Sequence, residues 1–119
     1  MILKTMYDLL KKNNIDVYFP SQHKGECTKK YIVIKENGTI PLNVSSERVV
    51  YTIMCYVPKE NYTQLEQFKQ EVKKIMNKLY PTIMYNGNET PSYYDEVVKG
   101  HMCSFDYLGC RKIRNFEIN

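Results

Sequence analysis

Tryptophan is absent from this 119-residue chain, and glycine and proline are scarce at five each. That scarcity excludes collagen-like and Pro/Gly-rich low-complexity chains. Long apolar runs are missing too. The longest surrounds residues 49–57, far short of the ~20 residues of a membrane-spanning helix. No block of about five or six like charges occurs, as a basic arm would require. Lys and Arg outnumber Asp and Glu 17 to 13, and the excess is dispersed. With 43% apolar residues and a net charge of only +4, wholesale disorder is excluded as well. The opening residues, Met1-Ile2-Leu3-Lys4-Thr5-Met6, lack a basic region followed by an apolar block and a cleavage site. The expectation is one soluble domain over residues 1–119 with a single core, working inside a cell without membrane contact.

Catalytic and metal signatures are also missing. No phosphate-binding loop, G-x-G-x-x-G, H-E-x-x-H or G-x-S-x-G is present. The four cysteines, Cys27, Cys55, Cys103 and Cys110, allow three disulfide pairings in an exported domain and are expected reduced in a cell interior. Zinc sites are announced by closely paired ligands, and the only close sets are His23 with Cys27 and His101 with Cys103. Asp95, Glu96 and Asp106 read as polar loop and strand residues in preference to a carboxylate pair, and no signature surrounds a Cys and His pair. The four N-x-S/T triplets, at Asn37, Asn43, Asn61 and Asn88, follow from composition. A non-enzyme with neither cofactor nor metal is expected.

What is present is a regular pattern of elements. Ile2, Leu3, Met6, Leu9 and Leu10 recur at helical spacing, predicting a helix from Ile2 to Lys12 that Asn13-Asn14 ends. Residues 15–19 predict a strand closed by Pro20, and 21–30 a polar loop. Tyr31-Ile32-Val33-Ile34-Lys35 predicts a strand, with a turn at Glu36-Asn37-Gly38. Residues 48–57 give the strongest strand. Val49, Tyr51, Ile53, Cys55 and Val57 share one face, and Val50, Thr52, Met54 and Tyr56 share the other. Two largely apolar faces predict a central strand.

Thr63 and Glu66 match a capping box ahead of a helix over 63–80, whose apolar stripe is Leu65, Phe68, Val72, Ile75, Met76 and Leu79. A short strand over 82–85, a loop over 86–91, and closing strands over 99–108 and 111–118, parted at Gly109, complete the chain. The order α-β-β-β-α-β-β with short connections predicts an α+β fold: a mostly antiparallel, curved sheet with two helices on one face.

Eleven tyrosines and four phenylalanines exceed what one small core needs, and tyrosine is enriched at protein interfaces. With both helices on one face, Val50, Met54 and Tyr56 on the other call for a cover, and a neighbouring subunit is the expected one. Lys29-Lys30-Tyr31 and the basic, aromatic stretch from Arg111 to Phe116 raise a nucleic-acid-binding module as an alternative. No RNA-binding signature accompanies them.

Taken together, the strand ending at Val17-Tyr18-Phe19-Pro20, the polar loop, Tyr31-Ile32-Val33-Ile34, the long strand 49–57, the helix from Thr63 and the Tyr94-Asp95 step before the closing strands carry a resemblance. Their order and length over nearly the whole chain resemble the tail terminator (tail completion) proteins of long-tailed bacteriophages and of phage-tail-like bacteriocins. The family's proline-rich approach to the second strand is replaced here by Cys27-Thr28-Lys29-Lys30. The resemblance implies a virion or tail-like-particle component assembled in the bacterial host cytoplasm. It implies a hexameric ring of self-contacts that caps the tail tube protein, ends its polymerisation and joins the head connector. In contractile tails it also holds the last sheath ring. DNA would meet the protein only by passing through the ring. On that reading Lys24, Lys29, Lys30, Arg111, Lys112 and Arg114 are expected to face tube or sheath, and Val50, Met54 and Tyr56 the neighbouring subunit. A head–tail connector or stopper protein is the nearest alternative.

Overall fold

The computed structural model describes residues 2–112. Helix α1 (Ile2–Lys12) leads to a two-residue strand β1 (Val17–Tyr18), followed by β2 (Tyr31–Pro41) and β3 (Ser46–Pro58). A 3-10 helix (Lys59–Gln64) precedes α2 (Leu65–Met76), and a second (Asn77–Leu79) follows it; β4 (Ile83–Asp95) and β5 (Gly100–Lys112) close the chain. The five strands lie in the order β1-β2-β3-β5-β4, so β3 is central. Every pair is antiparallel except β1 with β2. The fold is α+β, with the helices on one face of the sheet, and the element order is the expected one.

Alternation of side chains explains the layering. The odd residues of β3, from Val49 to Val57, pair across the sheet with Ile32, Ile34, Cys103, Phe105 and Tyr107 and are buried with them. Met6 and Leu10 of α1 and Leu65, Phe68, Val72, Ile75 and Met76 of α2 close over that face. Fully burying a side chain of this size contributes about 1.5–3 kcal/mol, so this one layer supplies the core. Asn14, at φ 64°, ends α1 as its position suggests. The Ile15 and Asn14 amides then donate back to the Leu10 and Lys11 carbonyls, which satisfies the last turn.

Several local expectations give way. Asn37-Gly38 does not turn the chain: with Gly38 at φ 95°, it forms a bulge opposite Val50 and β2 runs on to Pro41. The reversal comes later, where the Leu42 and Asn43 amides donate to the Ser46 carbonyl and the Asn43 carboxamide oxygen accepts from the Ser45 amide. The capping box does not form, because residues 59–64 tighten into the 3-10 helix and Gln64, without a side-chain cap bond, takes the cap position of α2. The α-helix accordingly spans 65–76, shorter than 63–80.

Residues 86–91 belong to β4, an edge strand that tolerates Gly87 and Pro91 through two irregularities in register. The closing strands are one: β5 passes straight through Gly109, where a Cβ would press on Ile2 Cδ1 and the Tyr51 ring, both at 3.1 Å. A small residue there lets α1 seat on the sheet. Residues 113–118 of the expected last strand lie outside the described residues.

Candidate assembly interface

Among the described residues no helix lies on the second face of the sheet. The even residues of β3 project there beside Val33 of β2 and Met102, Ser104, Asp106 and Leu108 of β5. The face is not uniformly apolar. Across its middle runs a polar row: the Asn37 carboxamide donates to Thr52 Oγ1 (3.1 Å), Thr52 Oγ1 donates to Asp106 Oδ1 (2.7 Å), and the Asn88 carboxamide donates to Asp106 Oδ2 (3.2 Å). Beside it Thr90 and Ser104 hydroxyls meet at 2.8 Å. These bonds satisfy Thr52, which is buried, and tie four strands together.

On one side of the row, toward Pro58 and Gly100, aromatic rings dominate. Tyr31 stacks on Tyr56 (centroids 4.7 Å apart) and on His23 (3.9 Å), while Tyr18 meets Tyr31 edge-on at 5.6 Å. Tyr56 is therefore half-buried in a stack whose outer ring, His23, comes from the chain's own 21–30 loop. Burial pushes its hydroxyl up to about 12. The loop is anchored by Cys27, whose amide donates to the Val98 carbonyl (2.6 Å) and whose side chain lies where a Cβ on Gly100 would fall.

On the other side of the row the face is apolar and more open. Val50 pairs with Leu108, which pairs with the exposed Met84. Beyond them Ile40 pairs with Arg48 on the same face, and Leu42 and Val44 stand exposed at the reversal. Of the expected ring residues, Val50 belongs to this open end, Met54 sits between it and the stack, and Tyr56 belongs to the stack. The structure therefore separates residues that the sequence grouped.

The expected tube-facing cations are separated too. Lys24, Lys29 and Lys30 are exposed near the aromatic end. Lys29 pairs with Asp16 (3.1 Å); Lys30 pairs with Glu71 (3.5 Å) and lies 5.1 Å over the Phe68 ring. Arg111 is at the opposite end, where its guanidinium takes Glu36 and Glu47, both at 2.8 Å. Lys112 ends β5 beside Ser46, and Arg114 lies outside the described residues. About nine residues of β3 separate the two groups, roughly 30 Å at strand rise, so they do not form one patch.

A groove of about 370 Å3 between the start of α2 and β4 is lined by Tyr62, Glu66, Lys69, Glu89 and Cys103, among others. Lys69 and Glu89 of its lining belong to an ion network. Glu89 accepts from Lys69 (3.1 Å), Lys73 and the Tyr85 hydroxyl, and Lys73 lies 4.6 Å over the Tyr85 ring. Hydrogen bonds from Lys73 and Tyr85, reinforced by Lys69, hold the Glu89 carboxyl down to about 2. Each charge is already matched within the network, which fastens α2 to the edge strand. Among the described residues no three His, Cys, Asp or Glu side chains gather as metal ligands. His23 and Cys27 are used in packing, and Asp106 in the polar row.

No helix among the described residues is long and apolar enough to cross a membrane. No protein-family model matches the chain, and no curated protein does either. Sequence reasoning missed the exposed end of the β2–β3 hairpin altogether. The available signal was the alternation of Ile40, Leu42 and Val44, obscured by an Asn-Gly pair that normally turns a chain.

Proposed function

We propose that this protein is an assembly subunit of a phage tail or tail-like particle, a ring-forming tail terminator that caps the tube, stops its growth and presents the joint to the head connector. The observation that carries the reading is the sheet face that no helix among the described residues covers, whose open end exposes Met84 and Ile40 beside the half-buried Val50 and Leu108. A sheet that covers one face with its own helices and leaves apolar side chains on the other is suited to burial against further protein. Work of this kind is binding without turnover and needs neither cofactor nor metal. The element order that resembles the tail terminators supports the same reading. Its site of action is the tail-like particle, assembled in the bacterial host cytoplasm.

Negative-stain images of the purified protein test the ring, and six-fold annuli are the expected result. Reversing the charge of Lys29 and Lys30, both exposed and only surface-paired, tests docking to the tube, with over-long tubes expected when the variant replaces the wild type. Tubes of normal length from that variant remove the loop from the docking surface. Annuli that bind the head connector but leave tube length unregulated identify the protein as a connector instead.

A further inference from the structure

The two ends of this elongated molecule, 55 Å in its longest dimension, are complementary in a way that the ring reading by itself does not require. At one end the β2–β3 hairpin projects beyond the helices. Leu42 and Ile40 are about half exposed there, and Val44 is 83% exposed. Arg48, opposite Ile40, has a buried Nε–H with no hydrogen-bond partner among the described residues. Glu36 and Glu47 lie on the other, helix-bearing face, where both pair with Arg111. A buried N–H without an acceptor is costly, and a carboxylate supplied by another copy would satisfy it.

At the opposite end, the turn between β4 and β5 carries Glu96 and Val97, the latter 87% exposed. The adjoining 3-10 helix carries Glu60 and the exposed ring of Tyr62. Glu60 and Glu96 have no ion pair among the described residues. Tyr62 is held in place by His101, with ring centroids 4.7 Å apart, and by the Ser92 hydroxyl at 3.3 Å. This end therefore offers an apolar contact, a fixed aromatic ring and carboxylates without an ion pair among the described residues, while the hairpin offers apolar side chains and a guanidinium whose Nε–H lacks an acceptor among them.

We infer that the β2–β3 hairpin of one copy docks head-to-tail on the Glu96–Val97 turn and the Tyr62 ring of the next copy, with Arg48 receiving Glu96. Such a contact is heterologous: each copy uses a different surface on either side, and repetition closes a ring or grows a filament. The inference deepens the ring reading and rests on it only for closure. It also accounts for Val50 and Leu108, which flank Arg48 on the open face and are covered by the incoming neighbour.

Two exposed-site variants test it. Val44→Asp disables the hairpin surface and Val97→Asp disables the receiving turn; circular dichroism and melting of the monomers verify that both fold. In sedimentation velocity the wild type is expected to assemble, and each variant alone to remain monomeric, with self-association weakened about tenfold or more. An equimolar mixture is expected to give dimers and nothing larger, since only one intact contact can form. As a second arm, Arg48→Glu is expected to block assembly and Arg48→Glu combined with Glu96→Arg to restore it.

Monomers in the mixture as well as in each variant overturn the contact. So does a hairpin variant that melts earlier yet assembles normally, because the hairpin then packs on its own chain. Wild-type rings that both variants form equally well overturn this contact and leave the ring reading standing. Dimers in the mixture beside open wild-type filaments retain the contact and refute the ring.

Discussion

Replacing Glu89 by Gln removes the carboxylate that fastens α2 to the edge strand, and the effect can be worked from the network around it. Lys69 and Lys73 are only 15% and 22% exposed and both converge on this group, while Glu66 helps Lys69 alone. Hydrogen bonds from Lys73 and Tyr85, with Lys69 behind them, lower the carboxyl from 4.5 to about 2. Taken at face value, a fall of that size corresponds to about 3 kcal/mol of folding free energy at neutral pH. The Glu89 side chain is still 27% exposed, so solvent screening reduces the expected loss to about 1–2 kcal/mol.

The sign follows from the direction of the shift. A carboxyl held lower in the folded than in the unfolded chain stabilises fully above its unfolded value. That contribution disappears as pH falls from about 4.5 toward 2. Urea unfolding followed by circular dichroism, at low protein concentration and a series of pH values, measures it. The Gln variant should trail the wild type by about 1–2 kcal/mol at pH 7, and the gap should close on acidification. A gap that is unchanged in acid, or one below about 0.3 kcal/mol at pH 7, refutes the reasoning.

Other perturbations follow from single contacts. Gly100→Ala places a methyl 2.8 Å from the Val57 carbonyl oxygen and 2.9 Å from Cys27 Cβ. Thermal unfolding should show a loss of about 1–3 kcal/mol from overpacking, and an unchanged melting temperature would contradict that tight approach. Thr52→Val deprives Asp106 of a donor and Asn37 of an acceptor. It should cost about 1–2 kcal/mol in denaturant unfolding, with Thr52→Ser largely retaining stability, and equal losses for both would discount the polar row. Of the four cysteines only Cys110 is exposed, and burial pushes the Cys27 thiol up to about 11. A thiol-reactive dye at neutral pH should label one cysteine rapidly, the rest following only on unfolding, and rapid labelling of two would contradict the packing.

Much of this protein was determined by residue periodicity alone. The alternation along β3 and the apolar stripe of α2 are properties of neighbouring residues in the chain, so they specify a central strand, two covering helices and the side of each that is buried. Asn14 ended α1 for an equally local reason, its tolerance of positive φ. Where two local signals competed, tertiary pairing decided. Asn37-Gly38 turns a free hairpin but forms a bulge when the partner strand continues to pair beyond it, and Gly109 reads as a break until α1 needs the space above it.

The surfaces lay further out of reach. Lys30 and Arg111 look alike in sequence, yet they end at opposite ends of the sheet because β2 and β5 both run antiparallel to β3, with Lys30 just before the start of β2 and Arg111 near the finish of β5. Val50, Met54 and Tyr56 share a face by alternation. Only the fold shows that Tyr56 stacks on Tyr31, that a polar row crosses the face beside Met54, and that the buried Arg48 Nε–H has no acceptor among the described residues. Periodicity reports which way a side chain points; what it meets there depends on residues dozens of positions away.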